Sequence, residues 1–202
     1  MVLGLNVVLV GILVAVGVTS HSLGVLAEGA DYLADAAGIG VALLAIWLAG
    51  RPPTPSRPHG YSKATAWAAL VNSSWLLSLT LLVSAAAIDR LVSGTRAVHG
   101  LPVLIVSSIA ALVMFAGAVI LGGDEDDYDH GGNLNVRAVL LDTAADAAAA
   151  AAVAITGAVI LATHGNYWLD PTVALAVSAI IAYHAIKLLR RVVLTLRTHA
   201  PE

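Results

Sequence analysis

The chain has 202 residues, of which 59% are hydrophobic and 11% charged, with a mean hydropathy of +0.88 and a formal charge of −3. So few charges cannot cover the surface of a water-soluble domain of this length, so a soluble globular fold is excluded. Cysteine is absent, which rules out disulfides, thiolate metal sites and cysteine nucleophiles. The small net charge gives no reason to expect a nucleic-acid partner.

Apolar runs of roughly 20 residues recur along the whole chain, the signature of membrane-crossing helices. In order they cover 2–19, 23–49, 66–92, 101–121, 136–163 and 168–189. Alternation at period two is missing and the runs are too long for strands. The expected fold is therefore an all-α membrane protein: one six-helix transmembrane domain over 1–190, followed by a short basic cytoplasmic tail over 191–202. No basic segment precedes the first run, so a cleavable signal peptide is not expected. Turn and breaker residues fill the connections, above all "GRPPTPSRPHGYSK", where Pro52, Pro53, Pro55 and Pro58 make a stiff, partly extended loop.

Lys and Arg predict the orientation. The side holding both termini carries Arg51, Arg57, Lys63, Arg137, Lys187, Arg190, Arg191 and Arg197, and the other carries Arg90 and Arg96. Both termini are thus expected in the cytoplasm of a multi-pass cell-membrane protein. The tail "KLLRRVVLTLRTHAPE" reads as a helix extension resting on anionic headgroups of the lipid bilayer.

Against this background the carboxylates stand out. Each ionisable residue at mid-bilayer costs on the order of 2.5–3.5 kcal/mol on insertion scales. The second run carries Glu28, Asp31 and Asp35 at i, i+3 and i+7, on one helical face. The fifth carries Asp142 and Asp146 at i and i+4, again on one face. Counted from their opposite entry points, Asp31 and Asp35 lie roughly 12–18 Å deep and Asp142 and Asp146 roughly 9–15 Å deep. The pairs approach one layer from opposite sides. Four facing carboxylates repel unless protons or a cation neutralise them, and a divalent ion held by oxygen ligands is the direct solution. The competing reading is that protonated Asp residues hydrogen-bond the helices together in a non-transporting assembly protein.

At these residues the chain resembles the cation diffusion facilitator family of metal transporters. "SLGVLAEGADYLADAAGIGVALLA" looks like the family's second helix, whose [His/Asp]-x-x-x-Asp ligand pair falls on Asp31 and Asp35. "NLNVRAVLLDTAAD" looks like the entry to its fifth, with the second pair on Asp142 and Asp146. "HGYSKATAWAALVN" and "YWLDPTVALAVSAIIAYHAIKLL" resemble the starts of its third and sixth. The resemblance implies export of divalent transition-metal cations by proton antiport, with no other cofactor, and a homodimer. It departs in several places. His is usual at the first position of one or both pairs in the zinc branch, and both are Asp here. That harder donor set admits manganese, iron, cobalt or cadmium beside zinc. Thr65 stands where Glu is frequent. The loop before the fifth helix holds one histidine, His130, among Asp124, Glu125, Asp126, Asp127 and Asp129, and could gather cations. The chain stops about a dozen residues past the sixth run, as a naturally short member or a truncation would; the family's C-terminal cytoplasmic domain is not expected within these residues, its sites are not carried over, and any dimer would form through membrane helices.

Antiport also follows from physical reasoning. Four clustered aspartates cannot all ionise cheaply, so metal binding must release protons, and arriving protons must help expel metal. Alternating access then needs one helix group to rock against another. The run Ala147–Ala152 with Gly157 allows the fifth helix to pack closely, whether fixed or sliding. An enzyme is not expected: the G-x-G-D signature of an intramembrane aspartyl protease is missing, and the acids come as two spaced pairs. Of the remaining polar residues, Glu28 is open between a solvated, entrance and ligand role. Asn72 is placed at the inner vestibule or between helices, Asp89 and Arg90 at the outer face as solvated residues, and Asp170 as the cap of its own helix. The histidines outside the acidic loop are read as interfacial.

Overall fold

The computed structural model describes residues 2–51, 64–123 and 133–198; the proline loop and the acidic loop with His130 lie outside the described residues. Six helices follow one another: α1 Val2–Ser20, α2 Leu23–Ala49, α3 Ala64–Ser93, α4 Gly100–Gly123, α5 Asn133–Thr163 and α6 Leu169–Thr198. Among the described residues there is no strand. The helices match the six apolar runs. The largest extensions are at the start of α5 and at the end of α6, whose helix continues through the basic segment to Thr198. Among the described residues, five of the helices contain stretches long and apolar enough to cross a bilayer.

The distribution of side chains is that of a protein solvated by lipid. Large apolar residues such as Ile12, Leu82, Leu112, Phe115, Ile120 and Ile155 point outward. Buried positions instead include Ser73, Thr80, Ser107, Thr156 and Ser178. Lipid offers no hydrogen-bond partners, so these polar groups are turned inward, and three of them are satisfied within their own helix. Ser73 donates to the Ala69 carbonyl at 2.7 Å, Thr80 to Leu76 at 2.7 Å and Thr156 to Ala152 at 2.9 Å.

Two apolar clusters hold the bundle. The larger joins α1, α2, α4 and α5 through Leu13, Val25, Tyr32, Val103, Val106 and Val153, and the smaller joins α2, α3 and α6 through Leu23, Ala87 and Ala174. The α4–α5 crossing depends on two glycines. A Cβ on Gly100 would sit 2.6 Å from the Gly157 carbonyl oxygen, and one on Gly157 would sit 2.7 Å from the Leu104 nitrogen. Only glycine permits this backbone approach. That crossing favours the close-packing role for Gly157.

The short connections gather at one end of the bundle. After α1, His21 adopts φ 58°, and Ser22 caps α2 by accepting from the Val25 N–H at 3.2 Å. His164 and Asn166 hold left-handed conformations in the α5–α6 turn, φ 49° and 57°. The His99 N–H donates to the Ser20 carbonyl at 3.1 Å, tying the α3–α4 connection to the end of α1. The helices therefore alternate in direction, and the opposite end holds both chain termini.

Candidate metal site between α2, α5 and α6

The i, i+4 spacing on each helix does locally what the sequence leads one to expect: Asp31 and Asp35 share one face of α2, and Asp142 and Asp146 one face of α5. The two faces meet. All four aspartates line one cavity of about 480 Å³, together with Asn72 of α3 and His184 of α6. Asp31, Asp35 and Asp146 are half-buried, whereas Asp142 is exposed. Asp31 of α2 and Asp146 of α5 face one another across the gap, near enough to interact. Asp35 interacts electrostatically with Asp142. The rest of the wall is small or apolar, including Ala145, Ala149 and Ala152 of α5 and Val177 and Ile181 of α6.

Asp142, His184 and Leu188 also border a neighbouring depression with Lys187 and Arg191, further towards the end of α6. Towards the other end the helices close. A Cβ on Gly24 of α2 would lie 3.0 Å from Val153 of α5. The site is thus wide where α5 stands away from α2 and α6, and shut one to two turns further along. Consistent with that gap, no three His, Asp or Glu side chains among the described residues close tightly enough to hold a metal ion in this conformation. The four aspartates share one chamber without closing on a common point.

The chain belongs to the cation efflux family. The family model for the cation efflux transmembrane domain matches residues 1–196. Over 187 residues the chain is 33% identical to the zinc transporter ZitB of Yersinia pseudotuberculosis, covering 92% of this chain and 58% of the relative. It is 32% identical over 186 residues to ZitB of Escherichia coli K12, covering 92% and 57%, and 26% identical over 194 residues to the human proton-coupled zinc antiporter SLC30A2, covering 92% and 52%. The chain spans little more than half the length of the relatives it matches.

In this cation efflux protein the four aspartates and Asn72 line one cavity, and four further expectations change. Glu28 is neither solvated nor at an entrance. It is 3% exposed, its Oε2 accepts from Ser107 Oγ of α4 at 2.9 Å, and its Oε1 has no partner. It lies where the bundle has closed and does not line the cavity. His184, read as interfacial, lines the cavity and its mouth. Asp170 does not cap its own helix. Its carboxylate is 0% exposed and caps α2: Oδ1 accepts from Ser22 Oγ at 2.5 Å and from the Gly24 N–H at 3.2 Å, and Oδ2 accepts from the Leu23 N–H at 2.7 Å. Arg90, expected in solvent, stands 3.7 Å from Asp170 Oδ2 and also donates to the His21 carbonyl. Neither partnership leaves a local trace, because Ser22 and Asp170 are 148 positions apart.

Proposed function

We propose that this chain forms the membrane-embedded part of a divalent transition-metal exporter, and that Asp31, Asp35, Asp142 and Asp146 bind the transported ion. The observation that carries the proposal is the convergence of both aspartate pairs on one cavity. Carboxylate oxygens suit a hard divalent cation, and four of them gathered in one cavity, with no Lys or Arg among the described residues that line it, leave a local excess of negative charge. Zinc is the first candidate, because the relatives are named zinc transporters. The all-oxygen donor set extends the range to cadmium, cobalt, manganese and iron.

Protons are the counter-substrate. Clustered carboxyls that face one another are eased by protons when no cation is bound, and an ion entering among them displaces those protons. Export then runs as competition: metal binds from the cavity side and releases protons, and protons arriving from the far side release metal. The basic residues Lys187 and Arg191 at the cavity end favour placing that end, with both termini, in the cytoplasm. A homodimer formed through membrane helices belongs to the same reading, by resemblance to the family.

The test is zinc flux into proteoliposomes driven by a proton gradient. Parent protein is expected to transport and to move protons in the opposite direction. Asp35→Asn and Asp142→Asn are expected to abolish both while remaining folded. The second reading, helix association, is favoured only by the way Asp31 and Asp146 face one another. Asn retains hydrogen-bonding capacity without the charge, so that reading requires the parent to show no flux and an Asp146→Ala variant to lose helix packing. Undiminished flux in Asp35→Asn and Asp142→Asn would reject the site.

A further inference from the structure

The cavity wall holds a polar side chain on α3 to which the four-aspartate site gives no role. Among the described residues, Asn72 is the single polar side chain that α3 contributes to the lining; Leu76, one turn along, is apolar. The local geometry is specific. A Cβ on Gly38 of α2 would lie 2.7 Å from Asn72 Nδ2, 3.1 Å from its Cγ and 3.2 Å from its Oδ1. The Asn72 carboxamide is therefore seated against α2 in a hollow that exists because residue 38 has no Cβ. Gly38 follows Asp35 by three positions, so both lie on one face of α2, with about 5–6 Å between their β-carbon positions. The amide is thus held about one helical turn from Asp35, on the side nearer the end of α2. His184, the other neutral donor in the wall, is exposed and lies at the mouth.

Four carboxylates bring more negative charge than one divalent ion cancels, and a fifth would add repulsion. A carboxamide oxygen adds a bond without adding charge, and a half-turn of its terminal bond presents either Oδ1 or Nδ2. We infer that Asn72 is a further ligand of the transported ion, its oxygen joining the aspartates from the α3 side, with Gly38 providing the space that holds it there. The inference rests on the proposed metal site and adds a role in specificity. Zinc settles at four donors, whereas manganese takes six oxygens in an octahedral array. A neutral oxygen beyond the four aspartates serves the larger shell, so Asn72 widens the site towards manganese.

Calorimetric titration of zinc and of manganese into the purified protein tests this, read as the ratio of the two affinities. Asn72→Ala is expected to weaken manganese binding by roughly 10–100-fold, the range seen when a partner of a metal site is removed, and zinc binding by much less. Gly38→Ala is expected to act in the same direction more mildly, because the added methyl meets the far end of the Asn72 side chain and must displace it. In the Asn72→Ala background Gly38→Ala is expected to add nothing, since the three atoms nearest the new methyl all belong to Asn72. An amide that only packs α3 against α2 would lower the melting temperature of these variants and leave the affinity ratio alone. That result overturns the inference, as does an equal loss of both metals, or a Gly38→Ala effect that persists without the Asn72 amide. Should Asn72→Ala not fold, Asn72→Leu keeps the shape, drops the oxygen and is read by the same ratio. Asp35→Asn and Asp142→Asn separate this inference from the reading beneath it. With binding lost in both, an unchanged ratio in Asn72→Ala faults Asn72 alone; with binding intact in both, the four-aspartate site falls and the inference with it.

Discussion

The two ends of this bundle use the same residue type to opposite effect. At the closed end a single aspartate, Asp170, is surrounded by two amides, a hydroxyl and a guanidinium. In the cavity four aspartates from two helices gather with no Lys or Arg among the described residues that line it, the nearest being Lys187 and Arg191 in the depression that Asp142 borders. A satisfied carboxylate is a fastening; an under-satisfied set of carboxylates is a place for something positive to go. The contrast between them, more than the mere presence of acids in a membrane, separates structure from function here.

That contrast can be broken at either end. The largest effect is expected in the cavity: Asp146→Asn should reduce zinc affinity by more than about 100-fold, since even outer partners of a metal site are worth on the order of 10–100-fold. Its thermal unfolding should remain close to that of the parent, and isothermal titration calorimetry beside a melting curve checks both. At the closed end the roles reverse. Asp170→Ala leaves Arg90 and the α2 amides without their carboxylate, and should destabilise the fold by about 3–5 kcal/mol, read as a lowered melting temperature in detergent. A smaller effect is expected where packing alone is disturbed. Gly157→Ala forces a methyl against the Leu104 nitrogen and the Gly100 carbonyl, with an expected loss of about 1–3 kcal/mol in the same melting assay. The smallest is Ser107→Ala, which removes the one hydrogen bond held by Glu28 and should cost about 1 kcal/mol. A fall in zinc affinity in that last variant would mean that Glu28 belongs with the cavity group and not with the core.

What was legible in the sequence follows the same division. The helices could be read because lipid demands long apolar runs, and α1 to α6 match them closely. The aspartate pairs could be read because a period of four residues on a helix fixes a shared face, and depth from the helix ends fixes a shared layer. Neither device tells which helices touch. Asp170 looked like the cap of α6 because its neighbours in sequence are that helix's own first turn, yet the amides it binds belong to α2. Arg90 looked solvated because it lies at a helix end, and the same position lets it reach the α1–α2 turn. Glu28 shares the broad acidic face of α2, but it sits a turn nearer the closed end, where α4 rather than open space faces it. His184 gave no signal beyond its position in an apolar helix, because the cavity it borders is made by the separation of α5 from α6.

The most direct test of the central claim is calorimetric titration of zinc into the purified protein in two buffers of different protonation enthalpy, for the parent and for one aspartate variant on each helix. The account predicts one ion per chain with release of protons, tighter binding as pH rises, and loss of that binding in both Asp31→Asn and Asp142→Asn. Unaltered zinc binding in either variant would contradict it, because the ion would then not be shared between α2 and α5.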